Sequence, residues 1–245
     1  PTREEQERVP HFGLDLVLPN EPFNAGDFVD LADRVLAEHP RVIVAGGTSL
    51  YIQALIRGLV KTPQPDRELR QTLEEHPDLH AELTRLDPEL AKRLHPNDSK
   101  RLIRGLEVVM LGGIRLSELQ AKHATEPDRL NTVALWLDRD DLPQRIETRV
   151  HQMVAQGYLH EVQGLLDDGY DSSLKPMQSL GYRHICAHTR GEFDLDNAIE
   201  LTIRATRRFS RKQRTWMRSL EFPRAVEDHL LKSTRAAQEA FTPQP

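Results

Sequence analysis

The sequence predicts an α/β protein: a parallel-sheet core interrupted by an all-helical insertion. Three observations carry this expectation. The apolar runs "LDLVL" at 14–18, "VIVA" at 42–45 and "TVALWLD" at 132–138 have the length and branched composition of buried strands. Strand-like and helical periods alternate over the first 60 residues, the pattern of a parallel sheet. From about Arg67 to Lys122 only helical patterns occur. The expected organisation is core over 1–60, helical insertion over 61–130, core again over 131–222, and a tail over 223–245.

Each element has a local reason. Thr2-Arg-Glu-Glu5 has capping-box spacing and predicts a short helix that stops before Pro10. Pro19 ends the first strand. Asn24 caps a helix whose apolar stripe is Phe28, Leu31, Ala32, Val35 and Leu36. After "VIVA", Gly46-Gly47 makes a turn into a helix that runs to about Gly58. "VKTPQPD" at 60–66 is a Pro-broken linker. Asp98 to Leu111 puts Leu102, Ile103, Leu106, Val109 and Met110 on one side of a helix. Further helices are expected at 141–156, at 158–168 and from about Leu195 to Leu220. Three strands are few for a doubly wound sheet.

Composition narrows the class. A chain of 245 residues with 38% hydrophobic content can bury a core without disulfides. The single cysteine, Cys186, excludes an internal disulfide and fits a cytoplasmic location. No apolar run approaches the roughly 20 residues of a membrane span, and no signal peptide is visible, so no membrane partner is expected. The net charge of −5 speaks against a generally basic coat. Yet from Arg204 to Arg218 seven residues are Lys or Arg and none is acidic. Such a block is a local electrostatic footprint that calls for an anionic partner.

Four segments could carry chemistry. In "RATRRFSRKQRTWMR" (204–218), Arg204, Arg208, Arg211, Arg214 and Arg218 fall three or four apart and form one cationic stripe. Phe209, Gln213, Trp216 and Leu220 lie beside it. A solvated face over a packed Phe and Trp is the plain alternative, but the stripe repels itself and a phosphate backbone would relieve that repulsion. In "HPNDSKRLIRGLEVV" (95–109), Lys100, Arg101 and Arg104 oppose the helix dipole in its first turns, a cost that a bound anion removes. "QSLGYRHI" (178–185) sets a Gly, an aromatic and an Arg at a helix entrance, suited to stacking on a base. Thr48 puts a hydroxyl at a strand-to-helix turn, where ligands of open α/β sheets bind, although a helix N-cap and a tight turn explain the same residues. No metal site is expected: His160-Glu161 lacks a second histidine at 164, and on a helix Cys186 points away from His184 and His188.

Taken in order, GGT-x-LY, HPND-x-x-R-x-x-R-x-LEV, GYR and TR-x-x-x-(basic)₂-Q-x-TW-x-R resemble the motifs of the tRNA dimethylallyltransferases, from Pro1 to about Leu220. The resemblance implies a P-loop-kinase-like core whose helical insertion grips the anticodon stem-loop. It implies transfer of a dimethylallyl group from dimethylallyl diphosphate, with Mg²⁺, to N6 of the adenosine 3′ of the anticodon. Thr48 is then catalytic, with Gly46, Gly47 and Thr48 on the diphosphate side. Substrate tRNA is contacted by Arg70, Lys100, Arg101, Leu102, Ile103 and Arg104, by Gln178, Ser179, Leu180, Gly181, Tyr182 and Arg183, and by Arg211, Lys212, Gln213, Arg214, Thr215, Trp216, Met217 and Arg218. A monomer is expected. The family's first strand, its P-loop and its general-base Asp have no counterpart in the sequence, so an N-terminally truncated member is expected. Two other readings stand beside it: a non-catalytic tRNA-binding remnant, and an adenylate isopentenyltransferase that uses a free nucleotide.

Overall fold

The structure, a computed structural model, describes residues 1–39 and 41–220 together with the backbone of Arg224–Ala225. In chain order the elements are α1 (Arg3–Arg8), α2 (Ala25–Glu38), α3 (Ser49–Arg57), α4 (Arg67–Glu74), α5 (Leu79–Leu86), α6 (Pro88–Ala91), α7 (Ser99–Gly112) and α8 (Leu116–Ala124). Then follow β1 (Trp136–Leu137), α9 (Leu142–Ala155), α10 (Tyr158–Asp167), α11 (Tyr182–Thr189), α12 (Leu195–Arg218) and β2 (Arg224–Ala225). Beyond β2 the expected tail lies outside the described residues.

Local chemistry explains the helix starts. The Thr2 hydroxyl accepts from the Glu5 amide at 3.2 Å while the Glu5 carboxylate accepts from the Thr2 amide, a complete capping box. Asn24 and Asp27 do the same for α2. Asp66, Asp78, Asp98 and Asp194 each cap their helices through a carboxylate oxygen.

The chain divides into two compact units, Pro1–Ile52 with Thr132–Pro245, and Gln53–Asn131. The second unit is helical: Leu73, Leu83, Leu90, Leu102, Leu106 and Val108 of α4 to α7 form its core. In the first unit Tyr158, Val162, Met177, Ile185, Cys186 and Ala198 pack α10, α11 and α12 together. Ile146, Val150 and Ile203 close α9 onto α12. Among the described residues no helix is long and apolar enough to cross a membrane.

The sheet departs from expectation. Among the described residues it consists of β1 and β2 alone, paired in parallel with Trp136 opposite Arg224. At 14–18 no strand forms, because Gly13 and Asp15 adopt positive φ (85° and 49°), which breaks an extended run. At 42–45 the chain is irregular and Ile43 is 97% exposed. A strand needs a neighbour for its N–H and C=O groups, and no described residue pairs with this run. Of the run at 132–138 only Trp136–Leu137 is strand.

Candidate functional site

In the first unit the site is organised around α12, which at 1.5 Å per residue is about 36 Å long. Its arginines are of two kinds. Arg214 turns inward: its guanidinium lies 2.7 Å from the Asp138 carboxylate, whose side chain is 2% exposed, and also donates to the Arg139 carbonyl. Arg207 donates to the Pro143 carbonyl and pairs with Glu147 at 2.6 Å, fastening α12 to the start of α9. Arg204 pairs with Glu200 one turn earlier, at 2.8 Å. The stripe expected from spacing therefore loses Arg204 and Arg214 to internal partners. Arg208, Arg211 and Lys212 are exposed and form no ion pair among the described residues.

Two clefts flank Arg211. One, of about 460 Å³, lies between α9 and α12 and is lined by Pro143, Glu147, Arg207, Ser210, Arg211 and Arg214. The other, of about 510 Å³, is lined by Arg208, Arg211, Lys212, Thr215, Trp216 and Ser219. The second combines three free cations with a half-buried indole, the combination that holds a phosphate backbone and offers a stacking face. Met217 is half-buried and Arg218 exposed.

Beside α12 sits the Gly46-Gly47-Thr48 turn. The Gln213 side-chain amide donates to the Gly47 carbonyl at 2.9 Å. A Cβ on Gly47 would collide with that amide nitrogen, whereas Gly46 faces open space. Thr48 starts α3 through its carbonyl, which accepts from the Tyr51 and Ile52 amides at 3.0 and 3.1 Å. Its exposed hydroxyl makes no hydrogen bond among the described residues, so it is not spent on capping.

The segment at 178–183 is built around Gly181, whose φ of 91° and contact with the Tyr158 hydroxyl leave no room for a side chain. Gln178, Ser179, Leu180 and Arg183 are exposed. Tyr182 is half-buried and donates a short hydrogen bond to Glu161. Burial, then the Glu161 interaction, pushes its phenol well up. Burial likewise raises Tyr158 to about 12. Arg183 donates to His184 Nε2 at 3.1 Å, which leaves Nδ1–H to donate to Thr202 at 3.0 Å. Burial and the Arg183 charge depress the His184 pKa, in keeping with a neutral ring that orients Arg183. Burial raises the Cys186 thiol, which suits a packing residue.

In the second unit the implied contacts also separate. Lys100 and Arg101 are exposed on the first turn of α7. The side chains of Leu102 and Ile103 lie in the core. Arg70 and Arg104 converge on Glu107, a carboxylate with no exposure. Glu107 accepts from Arg70 Nε at 2.9 Å and Nη2 at 3.0 Å, from Arg104 at 2.5 Å and from the Asp66 amide at 2.9 Å. Arg104 reaches on to Thr62 and the Pro63 carbonyl, so the cluster ties the linker to α7. Burial works against the Glu107 charge, but hydrogen bonds from both arginines outweigh it and hold the carboxyl below its ordinary value. Glu107, Asp138 and Glu147 are not singled out as site residues by the sequence. For Glu107 the available signal is an acid between Leu106 and Val108 on an otherwise apolar helix side.

A family model described as IPP transferase matches residues 1–220. The tRNA dimethylallyltransferase of Geobacter metallireducens is 44% identical over 230 residues, which cover 89% of this chain and 74% of that protein. The tRNA dimethylallyltransferase 1 of Trichlorobacter lovleyi is 43% identical over 231 residues, 89% of this chain and 76% of that one. Among solved structures, the tRNA isopentenylpyrophosphate transferase of Bacillus halodurans aligns with a TM-score of 0.65 at 29% identity, covering 98% of this chain and 81% of its own. A eukaryotic dimethylallyltransferase acting on tRNA aligns with a TM-score of 0.83 at 23% identity over 100% of this chain and 68% of that one, a likeness of fold. These likenesses define a transferase class. The chain belongs to the IPP transferase family.

The Glu107 cluster yields a stability test. Replacing Glu107 by Ala strands two guanidinium groups and is expected to cost about 3 kcal/mol in urea unfolding. The folded carboxyl is held below 4.5, so on acidification the unfolded chain binds its proton first. The contribution is therefore present above pH 4.5 and is lost as the pH falls below it. Glu107→Gln is expected to flatten that part of the pH–stability profile.

Proposed function

We propose that the protein transfers a dimethylallyl group from dimethylallyl diphosphate to N6 of the adenosine 3′ of the anticodon in tRNA, releasing pyrophosphate. The observation that carries this reading is the bond from Gln213 to Gly47, which sets the Thr48 turn against the basic helix. A free hydroxyl and a helix that carries free cations are thus joined through one hydrogen bond. The names of the relatives point to the same activity and weigh against both a non-catalytic tRNA-binding remnant and an adenylate isopentenyltransferase.

In this reading the adenine leaves its stack, at a cost of a few kcal/mol that stacking and phosphate contacts offset. Arg208, Arg211 and Lys212 hold backbone phosphates of the anticodon stem-loop, and Trp216 offers its ring to a base. Arg183, oriented by His184, and Lys100 and Arg101 of the helical unit add further phosphate contacts. N6 attacks the allylic carbon, the C–O bond to diphosphate breaks, and pyrophosphate departs with the electron pair while N6 gives up a proton to water. The Thr48 hydroxyl donates toward the charge that develops on the leaving group. Among the described residues no cluster of three or more His, Cys, Asp or Glu could hold a metal. Mg²⁺ is proposed to enter with the diphosphate substrate and to assist the departure of pyrophosphate. The protein is proposed to act as a monomer.

Incubation of the protein with labelled dimethylallyl diphosphate and either tRNA or AMP tests the reading. Label is expected in tRNA and not in AMP; transfer to AMP alone would reverse the acceptor, and tRNA binding with no transfer would favour the remnant. Thr48→Ala is expected to lower kcat roughly tenfold to a hundredfold, with an unchanged melting temperature because the side chain is exposed. Arg211→Ala is expected to weaken tRNA binding several-fold and to reduce the salt slope of the affinity by about one. An unchanged slope in a binding titration would remove Arg211 from the RNA surface.

A further inference from the structure

Gln213 lies within the segment expected to contact tRNA, yet its side-chain amide is committed elsewhere. It donates to the Gly47 carbonyl at 2.9 Å, across 166 residues of sequence. The two glycines of the turn differ in just this respect. A Cβ on Gly46 would meet nothing, whereas a Cβ on Gly47 would strike the Gln213 amide. A side chain at 47 would therefore displace the Gln213 amide from the Gly47 carbonyl.

The neighbours of both groups give the bond its consequence. Next to Gln213, Arg214 is anchored on Asp138, which fixes the rotation of α12 about its axis at this point. Next to Gly47, the Thr48 carbonyl receives the Tyr51 and Ile52 amides and so begins α3. The bond therefore ties the first turn of α3, and with it the Thr48 hydroxyl, to a helix that cannot rotate freely. The turn has little other support. Residues 43–48 are exposed, and among the described residues no ladder partner holds them.

We propose that Gln213 is a positioning residue: it holds the Gly47–Thr48 turn in register with α12, rather than contacting RNA through its side chain. The proposal rests on Thr48 meeting the reacting groups, as set out above. A donor is essential, because the partner is a carbonyl oxygen. Length is essential too, because asparagine is one methylene short. Gln213→Glu keeps the length but presents acceptors to an acceptor, and Gln213→Asn keeps the donor but loses the reach.

The test uses the intact protein with two readouts. At saturating tRNA and dimethylallyl diphosphate, Gln213→Glu and Gln213→Asn are each expected to lower kcat about tenfold or more, as small misplacements of a reacting group do. Equilibrium affinity of Gln213→Asn for tRNA and its melting temperature are expected to stay close to wild type. Gly47→Ala is expected to be far more harmful with Gln213 present than in a Gln213→Ala background, where the clash is gone. Weakened tRNA binding by Gln213→Asn with kcat intact would make Gln213 an RNA contact and overturn the proposal. A fall in kcat, affinity and melting temperature together would mean a structural role alone and would also overturn it. The second readout needs no substrate: in Gln213→Ala, hydrogen exchange at the Tyr51 and Ile52 amides is expected to quicken. Unchanged exchange there contradicts the positioning role whatever the activity, whereas failure of the wild-type protein to modify tRNA would count against the functional reading only.

Discussion

The arrangement of the first unit depends on one buried charge, the Asp138 carboxylate, and on Arg214, which neutralises it. A carboxylate removed from water costs several kcal/mol unless it is paired and hydrogen-bonded. That cost makes the Arg214 position nearly obligatory, and helical geometry then dictates the rest of α12. Ile203, Arg207, Ser210 and Arg214 recur on one face; Ile203 packs on Ile146 and Val150, and Arg207 ties to α9. Arg208, Lys212 and Thr215 are thereby turned to the other face, Arg211 stands at the rim between the two clefts, and all four stay open to solvent. Between the two faces, Gln213 reaches the glycine turn. A single ion pair thus sorts a run of like charges into struts and contacts.

The helical unit uses the same device. Glu107 has no exposure and takes four hydrogen bonds, three of them from two arginines. The arginines gather the linker around Thr62–Asp66 onto α7, while Lys100 and Arg101, one turn earlier, remain exposed. In both units an acid with an apolar sequence neighbour decides which basic residues are withdrawn from the surface.

This division marks the limit of what the residues alone reveal. Helix starts were legible because caps act over three positions: Thr2 with Glu5, Asn24 with Asp27, Asp98 with Arg101. The cationic spacing on α12 was legible for the same reason. The withdrawal of Arg214 was not, since its partner lies 76 residues away, nor was that of Arg70, whose partner lies 37 residues away. The strands read at 14–18 and 42–45 failed differently. Composition measures fitness to be buried in a sheet, but a strand exists only where a neighbour completes its hydrogen bonds, and positive φ at Asp15 forbids one locally. The glycine pair was legible as a turn, but the approach of Gln213 to its second glycine, from 166 residues away, was not.

The arginines of α12 have two separate tasks. Arginine modification by phenylglyoxal, followed by mass spectrometry with and without an anticodon stem-loop RNA, reads this residue by residue. Arg208 and Arg211 are expected to react rapidly and to be protected by the RNA, while Arg207 and Arg214 react slowly in both conditions. Reaction of Arg214 as fast as that of Arg211, with protection by the RNA, would contradict this division.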